Sequence, residues 1–415
     1  MARRLPRILA LKRKILLLVG IFISINILFI SEFTIPHDTA SFLDDDYDPA
    51  LFPEISEIPE NISSPRILII SAVFFIPEFK SSNETILSWL PRFLGPITTD
   101  IYIYTTPELA SVVEASRGTD LPITIDTSFA SPFEIPPLRG RETVYGQMHN
   151  VDKERAFHVP ELYAVWNAKP FFVENAIRTL QGVQEYDYVF WNDADSFKED
   201  HGYSNWPNPE RLEKVWEEGS DISGARKQDL IFMPIINPPS KGDRFWTEDM
   251  GPIDVDFSEG SFFGGPPDAM KWFSRTFYAY HDHFLALGFF SGKDSAIYNA
   301  LMVLFPSRFI TVWVHDPAVP TYGRIPPMFT GHSHLGACGT ERYYYQWWLS
   351  DRDTREKMRQ WWFANDHDPD LVSWWKMKVP CRSTRVLGIE ELLQRVFGKQ
   401  WTVPPNTISK PSRTW

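Results

Sequence analysis

The sequence predicts an α/β fold, a mostly parallel sheet with flanking helices. Apolar runs of strand length recur at residues 66–74, 100–105 and 123–125, with helical periods between them. A further run, Tyr188-Val189-Phe190-Trp191, stops abruptly at two carboxylates, Asp193 and Asp195. Strand ends are where ligands collect in open α/β sheets. The 34 prolines argue for many extended connections rather than a long helical bundle.

The chain of 415 residues is long enough for one large domain with appendages. Its net charge of -12 argues against nucleic acid as a main partner. Residues 1–14 form a basic tail with Arg3, Arg4, Arg7, Lys12, Arg13 and Lys14 and no acid. Residues 15–30 carry no charge, roughly 24 Å of helix at ~1.5 Å per residue. That is slightly short for a hydrocarbon core of ~30 Å unless flanking Ser31 and Phe33 are drawn in. No small-x-small cleavage site follows, so a signal anchor over residues 15–31 is preferred to a cleaved signal peptide. The basic side stays cytosolic, which predicts a single-pass type II protein of the Golgi or ER membrane with its bulk in the lumen. Asn61 and Asn83 open Asn-x-Ser/Thr glycosylation sites that suit this orientation. Residues 32–65, acidic and proline-bearing, read as a stem.

The folded part is expected over residues 66–335. Its elements read as strand 66–74, helix 86–93, strand 100–105, helix 107–116 and strand 123–125. Residues 159–180 show helical spacing through Leu162, Val165, Phe171, Phe172, Ala176 and Leu180, with Pro170 expected to kink or split the helix. Strands are then expected at 188–191, 230–235, 255–265 and 308–314, and helices at 268–287 and 294–304. Beyond Asp316 the texture changes, giving a tryptophan-rich helical extension over residues 336–415, packed on the catalytic domain. Its Trp347-Trp348, Trp361-Trp362 and Trp374-Trp375 pairs read mostly as core, with one or two rings lining an acceptor groove. Cys338 and Cys381 lack metal-site spacing; they read as one disulfide in an oxidising compartment, or as two buried thiols.

Two carboxylates one residue apart at a strand end, where the backbone turns, suit one hard cation held against a diphosphate. Strand alternation would point them the same way. With the anchor, the stem and the βα alternation, this Asp-x-Asp resembles the GT-A nucleotide-sugar glycosyltransferases. More narrowly, residues 66–315 resemble the HtrL/YibB-like group of glycosyltransferases. The matching stretches are Ser71-Ala72-Val73-Phe74-Phe75, Glu161-Leu162-Tyr163-Ala164-Val165-Trp166-Asn167-Ala168-Lys169-Pro170-Phe171, Phe190-Trp191-Asn192-Asp193-Ala194-Asp195 and Glu259-Gly260-Ser261-Phe262-Phe263-Gly264-Gly265.

The resemblance implies a GT-A-like sheet and a metal-dependent transfer from a nucleotide sugar to a glycan, glycoprotein or glycolipid. It implies Mn²⁺ or Mg²⁺ on Asp193 and Asp195, completed by a late histidine, His334 or His332. It also implies donor contacts from Lys169, Asn192, Asp193 and Gly264, the glycine by letting backbone approach the sugar. For an inverting reaction a carboxylate takes the acceptor's proton, and Asp294 is chosen narrowly over Glu259. Two other readings stand beside it. One is a non-catalytic lumenal sugar-binding scaffold on the same fold. The other is an aspartate-dependent phosphatase, whose nucleophile would normally follow the first strand rather than a later one.

Overall fold

A computed structural model describes residues 64–76, 80–319, 335–365 and 379–408. The expected tail, anchor and stem lie outside the described residues, as do Asn61, the side chain of Asn83, Trp374, Trp375, His332 and His334. Among the described residues no helix is long and apolar enough to cross a membrane.

Eight strands form one sheet: β1 (Ile67–Val73), β2 (Asp100–Thr105), β3 (Ile123–Asp126), β4 (Tyr188–Asn192), β5 (Ile231–Phe232), β6 (Phe262–Gly265), β7 (Phe309–Val312) and β8 (Val386–Gly388). Their order is β3-β2-β1-β4-β6-β5-β7-β8. The first four strands are mutually parallel, as βα alternation requires. Beyond β4 the sheet changes character. β6 runs antiparallel to both β4 and β5, and β8 antiparallel to β7, while β5 and β7 pair parallel. Six of the eight strands thus run the same way, and the sheet is mostly parallel with β6 and β8 reversed.

Ten helices accompany it among the described residues: α1 (Lys80–Leu94), α2 (Ala110–Arg117), α3 (Glu142–His149), α4 (Pro160–Leu180), α5 (Pro209–Ser223), α6 (Pro267–Ala286), α7 (Asp294–Leu304), α8 (Tyr344–Trp348), α9 (Arg352–Asn365) and α10 (Ile389–Phe397). Strand alternation divides the apolar residues into two layers. Leu68, Ile70, Tyr102, Tyr104, Val189 and Trp191 face α4, α6 and α7. Ile67, Ile69, Ile101, Ile103, Tyr188 and Phe190 face α1, α5 and α8.

Several expectations change in detail. Pro170 lies inside α4 without splitting it. The strands expected at 230–235 and 255–265 shrink to Ile231–Phe232 and Phe262–Gly265. The helix α5 had no counterpart in the sequence reading. The C-terminal stretch is not helical throughout: it supplies β8, and α10 lays Ile389, Leu392 and Leu393 into the core. Trp347 and Trp348 are buried, Trp348 stacking on Phe232 at 5.8 Å and taking Arg211 over its ring at 4.3 Å. Trp361, in contrast, is exposed. Cys338 and Cys381 are joined in a disulfide.

Candidate active site at the end of β4

The side chains of β4 decide the site. Trp191 points into the α4 layer, where its ring stacks on Phe172 at 6.0 Å. Two residues on, Asp193 falls on the same side and meets Lys169, which projects from the buried face of α4. The strand stops at Asn192. A turn follows, closed by Ser196 N–H donating to Asp193 O at 3.0 Å. Strand alternation therefore does not extend to Asp195, and the two acids have different surroundings.

Asp193 is held on every side. Its Oδ1 accepts from Trp191 Nε1–H at 2.6 Å and lies 3.0 Å from Lys169 Nζ, while its Oδ2 lies 3.1 Å from the same nitrogen. Asp195 is freer: its side chain is 36 % exposed, and its nearest cation, Lys198, approaches only to 3.8 Å. Lys198 itself lies over the rings of Trp89 and Tyr343.

Lys169 is the hub. Its side chain is 5 % exposed, and besides Asp193 it contacts Asp294 Oδ2 at 3.0 Å and Gly260 O at 3.1 Å. Two of its protons are donated, to Asp193 Oδ2 and Gly260 O, while Asp294 Oδ2 lies at ion-pair distance without a hydrogen bond. Lys169 is thus tied chiefly to the protein's own acids, and its role as a donor-diphosphate contact stays an expectation. Burial disfavours its charge, but the two carboxylates more than compensate and hold its pKa above the ordinary value. Asp193 is pushed up to about 7 by burial, with Lys169 pulling down and Asp195 and Asp294 pushing further up.

Two carboxylates, Asp193 and Asp294, thus share one buried ammonium, and with Asp195 and its loosely held Lys198 the cluster sets three acids against two lysines, an excess of one negative charge. Asp294 opens α7, with Oδ1 accepting from Ser295 N–H at 2.8 Å and Oδ2 given to Lys169. Glu259 is buried just before β6. Burial raises its pKa, and the guanidinium of Arg342, 3.2 Å from its Oε2, opposes the rise. The loop before β6 is anchored from α7: Asn299 Oδ1 accepts from Ser258 N–H, and Asn299 Nδ2 donates to Ile253 O and Val255 O.

Two expected donor contacts belong to the scaffold instead. Asn192 is fully buried, its Oδ1 accepting from Ser196 Oγ and its Nδ2 donating to Asp193 O, which leaves no edge for a nucleotide. Gly264 is buried in β6 against β4. A Cβ there would lie 2.2 Å from Phe190 Cδ1 and 2.4 Å from Val189 O, so the glycine serves strand packing, not a sugar. Sequence reasoning missed Trp191 as a hydrogen-bond donor to the motif, and missed Lys198 and Arg342 around it; Tyr343 stood out only as part of the aromatic run Tyr343-Tyr344-Tyr345, read mostly as core. The parity of Trp191 with Asp193 was a usable signal; Arg342 carried none.

The residues fit a divalent cation by charge and donor chemistry, since hard oxygen ligands surround an uncompensated negative charge. Among the described residues, three metal-type donors gather within 4.8 Å of one another at Asp152, Glu154 and His158 instead. That group is balanced by the protein: Asp152 Oδ2 accepts from His158 Nδ1 and Tyr163 Oη, and Lys293 holds Glu154.

No family model matches the sequence, and no curated protein matches it significantly. The resemblance to the HtrL/YibB-like group therefore stays an expectation. Among solved structures the chain is similar to core-mannan synthase A (CmsA/Ktr4) of Aspergillus fumigatus in its Mn/GDP form. The identity is 12 %, over 62 % of this chain and 74 % of that one, with a TM-score of 0.35. So distant a likeness carries no inference about the reaction. The structure shows an α/β sheet with flanking helices, and the GT-A arrangement stays an expectation of the sequence.

Proposed function

We propose that the protein is a metal-dependent glycosyltransferase that moves a sugar from a nucleotide-sugar donor to a glycan, glycoprotein or glycolipid acceptor. One observation carries this reading: the gathering of Asp193, Asp195 and Asp294 at the end of β4 against only Lys169 and the loosely placed Lys198, a net negative charge that a divalent cation would offset. Asp195 would be the readier ligand and Asp193 the second, with His334 or His332 as an expected third and Mn²⁺ or Mg²⁺ as the ion. Such an ion, when bound, stabilises the charge growing on a departing diphosphate.

In the transfer, the bond from the sugar's anomeric carbon to the diphosphate breaks and a bond to the acceptor hydroxyl oxygen forms. An inverting reaction needs a carboxylate for the hydroxyl proton. Glu259 suits that task better than Asp294. Burial raises its affinity for a proton, although both acids are engaged, Glu259 with Arg342 and Ser261 N–H and Asp294 with Lys169 and Ser295 N–H. The aspartate-dependent phosphatase fits poorly, because a nucleophilic Asp193 would have to leave both Lys169 and Trp191. Location in the Golgi or ER membrane rests on residues before 64 and is an expectation of the sequence alone.

The test is a panel of UDP- and GDP-sugars incubated with the purified protein, reading nucleoside diphosphate release with Mn²⁺ or with EDTA. Release that depends on Mn²⁺ is expected. Donor binding without release in either condition would favour the non-catalytic scaffold, and phosphate release from sugar phosphates the phosphatase.

A further inference from the structure

The lysine at the centre of the acidic cluster has an unusual position for a charged group. It comes from the middle of α4, is almost wholly buried, and ties together three separate parts of the chain: the end of β4 at Asp193, the loop at Gly260 O and the first residue of α7 at Asp294. A lysine placed only to bridge α4 and β4 would need one carboxylate. This one has two, and a third, Asp195, is near enough to push on Asp193. Its hydrocarbon stem packs beside Trp191, with Nζ 5.9 Å from the ring centroid. Because the ammonium is wedged between Asp193 and Asp294, it cannot follow a ligand out of the site.

We infer that Lys169 is a resident counter-ion that sets the affinity of the Asp193–Asp195 pair for a divalent cation. The inference rests on the metal-dependent reading above. Physically, a fixed ammonium and an incoming metal ion compete for the same carboxylate charge. Two charges in a poorly hydrated site interact more strongly than in water. The ammonium therefore holds the cluster together when no metal is bound, and weakens the metal when it is. Such a cluster would bind its ion loosely enough to exchange it, where three acids alone would bind more tightly. Lys169 is thus a positioning residue, almost wholly buried and tied to Asp193, Asp294 and Gly260 O.

The experiment measures Mn²⁺ affinity by titration calorimetry or by the free-Mn²⁺ electron paramagnetic resonance signal, on wild type and on Lys169→Met, with thermal unfolding as the folding control. Removing one unit of positive charge from beside the cluster should tighten Mn²⁺ binding by about tenfold or more. Lys169→Met is also expected to unfold at a lower temperature without metal, and to regain much of the loss when Mn²⁺ is added. Should Lys169→Met not fold, Asp294→Asn reads the same coupling. With one carboxylate gone, Lys169 settles on Asp193 and Mn²⁺ binding should weaken by about fivefold or more.

Unchanged Mn²⁺ affinity in a folded Lys169→Met, or in Asp294→Asn, overturns the inference and reduces Lys169 to a structural tie. Wild type that binds no Mn²⁺ at all overturns the metal-dependent reading itself, so the two failures are told apart.

Discussion

The two acids of the motif should separate cleanly when each is replaced by its amide. In Asp193→Asn, a neutral amide replaces an acceptor that holds Trp191 Nε1–H at 2.6 Å and Lys169 Nζ at 3.0 and 3.1 Å. The amide oxygen can keep one of these bonds, but its NH₂ then confronts the ammonium. Removing one partner of a buried ion pair costs about 3–5 kcal/mol, and the partial exposure of Asp193 places it near ~3 kcal/mol. For a folded part of more than 300 residues that corresponds to a fall of roughly 4–5 °C in Tm. Asp195→Asn loses only a loose contact to a half-exposed lysine, worth less than ~1 kcal/mol, so its Tm should stay close to wild type. Its metal-dependent nucleotide release should nevertheless fall by about 100-fold, since a carboxylate ligand to the ion has gone. Differential scanning calorimetry and the Mn²⁺-dependent release assay read the two effects on the same samples. Asp193→Asn melting together with wild type would refute the packing argument. Asp195→Asn with full Mn²⁺-stimulated release would refute the metal argument.

Other outcomes follow from the same geometry. Gly264→Ala should lower Tm strongly, by about 3 kcal/mol of overpacking or more, because one of its clashes is with the backbone oxygen of Val189; an unchanged Tm with weaker donor binding would restore the glycine to the ligand site. His201 donates from Nε2 to Arg92 O and accepts at Nδ1 from Tyr203 N–H, and burial lowers its pKa to about 4. The unfolded chain then takes up a proton between pH ~6.5 and 4 that the folded chain refuses, so stability is flat above that window and falls within it by about 2–3 kcal/mol. Denaturant unfolding across this range should show a shallower slope in His201→Asn; equal slopes would exclude His201 as the source.

Much of the fold was legible because local chemistry and tertiary packing agree. β2 and α7 begin and end where the apolar pattern does, and β1 and β4 differ from it by a residue at most. Where the two diverge, the reading failed. The run at 230–235 is apolar enough for six strand residues, yet its regular ladder covers only Ile231 and Phe232; pairing resumes at Ile235, which bridges Ser258 and Trp313 singly, beyond Pro234, which has no N–H to give. The helix α5 had local signals that went unused: Asn208 caps Arg211 N–H, Pro209 takes the first helical position, and Gly224 ends it with φ of 67°. β8 had none, since three residues form a strand only when a neighbouring edge is offered, here by β7.

The site was half legible for a related reason. Spacing alone marked Asp193 and Asp195, but it could not tell that the first would be tied to Lys169 and Trp191 and the second left with one loose lysine contact. That difference follows from where β4 ends: one residue before the turn, Asp193 still obeys the parity of Trp191, and the turn then releases Asp195. The counter-ion was foreshadowed too. In Asn167-Ala168-Lys169-Pro170-Phe171-Phe172 a lysine sits among residues that are all buried, and a lysine so placed requires a carboxylate. The sequence of α4 could not say which carboxylates, because they arrive from β4 and α7, 24 and 125 residues downstream. Folding brings together more negative charge than one lysine can balance, and the resulting deficit is the feature of this chain that most directly calls for a bound cation.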